Sequence, residues 1–112
     1  MLALSLGVSS AAAQAAGEPD GAALYRQNCS VCHGAKGVPQ AQMRSVYPTL
    51  TVLADSALQA RLSRDSIVAV LRHGKGKNMK SFAAHFSPAE MLAVATFVKA
   101  LGSHAPAGPR GP

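Results

Sequence analysis

The residues best suited to chemistry are two cysteines and a histidine within five consecutive positions. They occur in the run Cys29-Ser30-Val31-Cys32-His33. Cysteines three apart on a turn of helix point to the same side, and the next residue brings an imidazole close to both. Such a C-x-x-C-H run is the attachment site of a c-type haem, whose two vinyl groups react with the thiols and whose iron takes the histidine. The motif therefore predicts one covalent haem c held by Cys29 and Cys32, with His33 as axial ligand.

Three other interpretations of the cysteines are weaker. A thioredoxin-like pair needs a βαβ context, which this sequence does not offer, and it has no use for the histidine that follows. A zinc site needs a second ligand pair, but the chain has two cysteines and its remaining histidines are scattered. A disulfide between residues so close would close a small loop and contribute little against its strain.

Six residues are candidates for the second axial ligand. A sixth protein ligand makes a haem an electron carrier, whereas an open face makes it a catalyst or a gas binder. The candidates are Met43, Met79, Met91, His73, His85 and His104. Met79 lies in a glycine- and lysine-rich loop where packing does not require it, whereas Met91 lies on an apolar helical stripe and is typical of core filling. Met79 is therefore the predicted ligand, with His73 or His85 as alternatives.

Composition and length predict one small exported domain. The 112 residues are 48% hydrophobic but only 4% aromatic, so a bound porphyrin would supply much of the core. The apolar start ends in Ala13-Gln14-Ala15, which predicts a signal peptide over residues 1–15. No basic residue precedes it, which indicates a truncated segment, a start further upstream, or simply an Ala-rich disordered terminus. Residues 16–102 are the predicted domain and residues 103–112 a disordered tail; no later segment is long and apolar enough to span a membrane.

Local signals predict short helices around the motif. Asp20 can cap a first helix that places Gly21, Tyr25 and Cys29 on one face, and a glycine there permits close approach of another helix. Residues 38–50 contain two prolines and no helical period, so they are predicted to form an ordered loop.

The second half of the chain predicts three further helices. Asp55 can cap a short one, and Ser63 or Asp65 the next. Ser87-Pro88-Ala89-Glu90 combines a serine cap, a proline at the first helical position and a glutamate that completes a capping box. This last helix carries an apolar stripe and is predicted to end at Gly102.

Several of these features, in this order, resemble the class I, mitochondrial-type cytochrome c family and its small bacterial periplasmic members with one haem. They are Gly21, Tyr25, the haem motif, Pro48-Thr49-Leu50, Met79 and the capped terminal helix. The resemblance covers residues 20–101. It implies an all-α cytochrome c-like fold of about four short helices around the haem. It also implies that the first and last helices cross, with Gly21 and Tyr25 against Val94 and Phe97.

The resemblance also implies roles around the iron. Met79 would be the axial methionine, and the Pro48 carbonyl would accept the second N–H of His33, with Pro39 as the next candidate, because metal-bound imidazoles usually donate that proton. Leu50 would join Pro48 in the haem pocket. The family usually has proline directly after the methionine, where this chain has Lys80. One hypothesis is therefore that Lys75, Lys77 or Lys80 replaces the methionine at high pH.

A haem with two axial side chains predicts an electron carrier rather than an enzyme, and no close pair of carboxylates suggests acid–base catalysis. Five basic residues lie near the motif or Met79: Lys36, Arg72, Lys75, Lys77 and Lys80. They form either a solvated face or a docking surface for an acidic redox partner, such as a dehydrogenase, oxidase or reductase. The sequence predicts a periplasmic monomer that does not bind nucleic acid.

Two other functions remain open at this point. One is a haem enzyme or gas sensor with a displaceable sixth ligand, because proline does not follow Met79. The other is the electron-transfer subunit of a larger dehydrogenase, which the sequence does not separate from a free carrier.

Overall fold

The structure, a computed structural model, describes residues 18–104. The predicted signal peptide (1–15) and most of the predicted tail (105–112) lie outside the described residues. The helices are α1 Gly21–Asn28, α2 Ser30–His33, α3 Ala41–Val46, α4 Ser56–Arg61, α5 Arg64–His73 and α6 Pro88–His104. Within these residues the only extended pairing is one isolated bridge between Lys75 and Met79. The all-α prediction is confirmed, and residues 18–104 contain six helices where about four were expected.

The first and last helices cross, as the sequence predicts. The Asp20 carboxylate caps α1 by accepting the Ala23 N–H at 3.1 Å. At the crossing, a Cβ on Gly21 would lie 2.1 Å from the Ala93 carbonyl oxygen, so only glycine permits this approach. One turn further, the Tyr25 and Phe97 rings pack with centroids 5.0 Å apart.

Helix α6 begins at the predicted capping box and supplies five of the eleven buried hydrophobic residues of the described core. The Glu90 N–H donates to Ser87 Oγ at 3.1 Å, and the Ser87 N–H donates to Glu90 Oε1 at 2.8 Å. Val94 and Val98 are buried on its inner face. The helix was predicted to end at Gly102, but it continues to His104. Gly102 has a packing role instead, because a Cβ there would lie 2.8 Å from Gln59 Cγ.

The segment predicted as a loop over residues 38–50 contains the helix α3, so that prediction was wrong in part. Pro39 precedes the N-cap residue Gln40, and Pro48 follows the C-cap residue Tyr47. The two prolines therefore bound the helix rather than interrupt it. Six residues are too few to show a clear apolar period, which explains why the pattern is weak.

Helices α4 and α5 begin at predicted caps. Asp55 accepts the Leu58 N–H at 2.9 Å. Of the two candidate caps for α5, the structure uses Ser63, which accepts the Ser66 N–H at 3.0 Å. Helix α5 ends at Gly74, whose φ of 77° is open to glycine and strained for other residues. The chain then turns into the loop that carries Met79.

Candidate functional site

The C-x-x-C-H segment lies where α1 gives way to α2. Helix α1 ends at Asn28, Cys29 has φ −122°, and α2 adds one turn that ends in His33. Gly34 follows with φ 85°, and a Cβ there would lie 2.0 Å from the Val38 carbonyl oxygen. The Tyr25 hydroxyl donates to the Gly34 carbonyl at 2.7 Å. The buried face of α1 thereby fixes the end of the motif.

The two cysteines are not joined to each other, so the disulfide interpretation finds no support. Cys29 is 9% exposed and Cys32 is half-buried. Burial, and then electrostatic repulsion by a Cys32 thiolate, raises the pKa of Cys29 to about 11, so this thiol is protonated at neutral pH. Among the described residues, no group of three His, Cys, Asp or Glu side chains is arranged to hold a metal ion.

His33 is held by a backbone carbonyl, but not the predicted one. Its Nδ1 lies 3.0 Å from the Thr51 carbonyl oxygen, to which the N–H donates. Pro48 is exposed, and neither it nor the buried Pro39 takes this role. Burial lowers the pKa of His33, and the bond to Thr51 partly opposes that shift. The imidazole is therefore neutral at neutral pH, with Nε2 left for a metal.

His33 and Cys29 line one side of an open apolar cleft, whose non-atom space is about 630 Å³ with the solvent at its mouth included. The walls also include Thr51, Leu53, Leu58, Leu62, Ile67, Val70, Leu71, Val94 and Val98. Leu50, predicted to line the pocket together with Pro48, is not among them; Thr51 and Leu53 line the cleft instead. Thiol, imidazole and apolar walls together suit a covalently bound porphyrin.

Met79 lines the same cleft, and the four other candidate axial ligands whose side chains are described do not. Met91 is 3% exposed in the helical core, as its stripe position predicts. Met43 is half-buried on α3, while His73 and His85 are exposed. His104 ends α6, outside the residues whose side chains are described. Of the five candidates whose side chains are described, Met79 is thus the one that the fold brings to the cleft with His33.

The loop around Met79 is restrained although proline does not follow the methionine. The Lys75 N–H donates to the Met79 carbonyl at 2.8 Å, and the Met79 N–H donates back to Lys75 at 3.3 Å. On the far side, the Phe82 N–H donates to the Leu71 carbonyl at 2.7 Å. The first two bonds close the loop across Lys75 and Met79, and the third joins the end of the loop to α5. Together they limit the backbone freedom that Lys80, in place of proline, would otherwise leave.

The five basic residues singled out in the sequence are all exposed: Lys36, Arg72, Lys75, Lys77 and Lys80. Lys75 also lines the cleft beside Met79. Charge therefore lies at the mouth of the apolar site. Val31, inside the motif, is 69% exposed.

Sequence reasoning missed Thr51, Leu53 and Gln59. Thr51 acts through its backbone carbonyl, which carries no sequence signal. Gln59 is 9% exposed and reaches Leu53 and Val98 by hydrogen bonds. Its only signal is an amide between the apolar Leu58 and Leu62, which is too common to single out.

Comparisons with known proteins agree with this arrangement. A family model described as cytochrome c oxidase, cbb3-type, subunit III matches residues 16–98. The solved structure of KustC0563 c-type cytochrome is 29% identical with a TM-score of 0.65, over 73% of this chain and 96% of that one. A tyrosine-to-phenylalanine mutant of Kustc0563 is 28% identical with a TM-score of 0.64, over 73% and 98% of the two chains. No curated protein matches. The predicted cytochrome c-like fold is confirmed.

Proposed function

Because the chain belongs to the c-type cytochrome family described as cytochrome c oxidase, cbb3-type, subunit III, we propose that it transfers single electrons through one haem c. Cys29 and Cys32 bond this haem, and His33 and Met79 ligate its iron. The observation that carries the proposal is the convergence of Cys29, His33 and Met79 on one apolar cleft. When bound, the haem supplies an iron that exchanges one electron between its ferrous and ferric states.

The side chains around the cleft set the energetics of that exchange. The soft thioether of Met79 favours ferrous iron and raises the midpoint potential. The apolar walls act in the same direction, because they disfavour the additional positive charge of the ferric state. The Thr51 carbonyl opposes them moderately, since its bond from His33 makes the imidazole a stronger donor to the metal.

The fold also suits a carrier because it restrains both axial side chains. His33 is tied to Thr51, and the Met79 backbone is tied twice to Lys75. A site whose ligands move little between oxidation states loses little energy to rearrangement with each electron. This supports a carrier rather than an enzyme with an open sixth position.

Optical spectra of the holoprotein, matured in cells that attach haem to cysteine pairs, test the proposal. We expect a c-type spectrum and, in the oxidised form, the near-infrared band of a methionine ligand. Met79→Ala should abolish that band and allow the ferrous protein to bind carbon monoxide. Met43→Ala, at a half-buried methionine outside the cleft, is the matched control and should change neither. A colourless product, or an unchanged band in Met79→Ala, would contradict the proposal.

For partners, we propose an acidic redox protein that docks over Lys75, Lys77 and Lys80. Exposed lysines around the mouth of the cleft would speed encounter and form a small, salt-sensitive contact. Lys36 and Arg72 would extend this surface. The proposed partner is a dehydrogenase, oxidase or reductase, either as a free protein or as a subunit of the same complex.

We place this activity in the periplasm, because haem attachment to thiols occurs outside the cytoplasm and residues 1–15 read as a signal peptide. Among the described residues no helix is long and apolar enough to cross a membrane. Fractionation of cells expressing the full chain, with an amino-terminal sequence of the released protein, tests both the location and the cleavage after Ala15.

A second candidate function is a sensor or enzyme with a displaceable sixth ligand. The observation that favours it is Lys75, which lines the cleft beside Met79 and could compete for the iron at high pH. Rapid binding of carbon monoxide to the unaltered ferrous protein would favour this function. A methionine band that persists at strongly alkaline pH would exclude ligand exchange by lysine.

A further inference from the structure

Gln59 is the one buried polar side chain among residues 18–102, and both hydrogens of its amide are used. Nε2 donates to the Leu53 carbonyl at 2.7 Å and to the Val98 carbonyl at 2.9 Å. Burying a side-chain amide costs free energy unless its hydrogen-bonding groups have partners. The two hydrogen bonds offset that cost, and they tie the two carbonyls to one side chain. It joins the segment after α3 to the terminal helix.

The fold holds Gln59 itself in place. Lys99 Nζ donates to the Gln59 carbonyl at 2.7 Å and to the Leu62 carbonyl at 2.8 Å. Gly102 leaves the room that the side chain needs, because a Cβ there would lie 2.8 Å from Gln59 Cγ. Contacts from α6 therefore hold both the backbone and the side chain of Gln59 in place. Gln59 itself does not line the cleft.

The segment that Gln59 holds is the one that orients the axial histidine. Leu53 follows two residues after Thr51, whose carbonyl accepts the His33 N–H at 3.0 Å. Residues 50–55 lie in neither a helix nor a strand. In this stretch the Leu50 and Asp55 N–H groups donate only to nearby carbonyls, and the Ala54 N–H donates to the distant Gly37 carbonyl at 3.1 Å. Without helical or strand hydrogen bonds, the position of the Thr51 carbonyl depends on such anchors.

We infer that Gln59 is a positioning residue: through Leu53 it fixes the Thr51 carbonyl against His33 and so tunes the haem potential. This inference rests on the proposed function, in which His33 ligates the iron. A hydrogen bond from the second ring nitrogen raises the basicity of the imidazole, and a more basic ligand favours ferric iron. Loosening the segment therefore weakens that bond and raises the midpoint potential.

The test is Gln59→Met, which keeps the length of the side chain and removes both donors. We expect two changes in the holoprotein: a higher midpoint potential and faster hydrogen exchange of the His33 Nδ1 proton in NMR. The expected rise is about a threefold shift of the ferric–ferrous equilibrium. This corresponds to roughly 30 mV, because a tenfold change in a one-electron couple is 59 mV. Gln59→Asn, which keeps the amide but is too short to reach both carbonyls, should shift both quantities the same way.

Ser87→Ala is the matched control, because it weakens the cap of α6 without touching this network. It should lower stability and leave the potential and the His33 proton unchanged. If Gln59→Met behaves like Ser87→Ala, the residue is merely structural and the inference fails. Should neither Gln59 variant fold, the unaltered holoprotein decides: side-chain amide protons of Gln59 that exchange as fast as those of a free amide would overturn the inference.

These outcomes differ from failure of the proposed function. A holoprotein without a c-type spectrum, or one whose spectrum does not depend on His33, removes the premise. A normal spectrum together with a potential that ignores Gln59 removes only the positioning role.

Discussion

Replacing Gly21 with alanine tests the crossing of α1 and α6. A Cβ at this position would lie 2.1 Å from the Ala93 carbonyl oxygen and 2.6 Å from its carbon. Both are backbone atoms of α6, so no side chain can rotate out of the way. The helices must separate by roughly 1.4 Å before the new methyl group reaches an ordinary contact distance of about 3.5 Å.

The cost of that separation follows from the neighbouring contacts. Forcing a methyl group into a packed interface costs about 1–3 kcal/mol. Separation also loosens the Tyr25–Phe97 pair, whose centroids are 5.0 Å apart, and such a pair contributes about 0.5–1.5 kcal/mol. The free energy of unfolding should fall by about 2–4 kcal/mol in total, or roughly 10–20 °C in Tm for a domain of this size.

Thermal unfolding of the holoprotein, followed by circular dichroism, measures this loss. The control is Gln27→Ala, which introduces the same residue at an exposed position of the same helix and should change stability by less than about 0.5 kcal/mol. Helix propensity alone predicts the opposite sign at Gly21, since alanine is favoured over glycine by up to about 1 kcal/mol. A Gly21→Ala protein that unfolds at or above the temperature of the unaltered protein would refute the steric argument.

Three other substitutions test the site. Burial raises the pKa of Tyr25. The contribution of the buried neutral phenol to the free energy of unfolding is therefore complete below the ordinary tyrosine pKa of 10.0. As the pH rises above that value, the contribution is lost by up to about 1.4 kcal/mol per pH unit. In urea unfolding, Tyr25→Phe should lose less stability above pH 10.0 than the unaltered protein. An equal pH dependence of stability in the two proteins would contradict this. Gly74→Ala places a Cβ 2.8 Å from the Met79 carbonyl oxygen at a φ of 77° and should weaken the methionine band; an intact band would show that the loop adapts. Lys77→Glu should slow oxidation of the ferrous protein by ferricyanide at low ionic strength, measured by stopped flow; unchanged rates would exclude steering there.

Features that a few neighbouring residues determine could be predicted from the sequence. Asp20 caps α1, and Ser87 with Glu90 forms the capping box of α6, because these hydrogen bonds span only three residues. The haem motif is also local, since five consecutive residues carry all of its chemistry. The crossing at Gly21 was predicted through the family resemblance, and a glycine on an otherwise packed face is the signal that supports it.

Features that depend on distant backbone atoms could not be predicted in this way. The acceptor for His33 is the carbonyl of Thr51 rather than that of Pro48, and any residue type supplies a carbonyl. Gly102 was expected to end α6, because a glycine after an apolar stripe usually does. In the fold it makes room for Gln59, and the helix continues. The same residue type thus serves a turn or a close contact, and only the tertiary structure decides between them.

The position of α6 has a consequence for the order of assembly. Val94 and Val98 complete the wall of the cleft, yet they come more than sixty residues after Cys29 along the chain. Before α6 packs against the rest of the chain, Cys29 is accessible to solvent. In the folded protein only 9% of Cys29 is exposed. On the proposed function, the enzyme that joins porphyrin to this thiol would therefore act before the last seventeen-residue helix docks, and that docking would bury the finished bond.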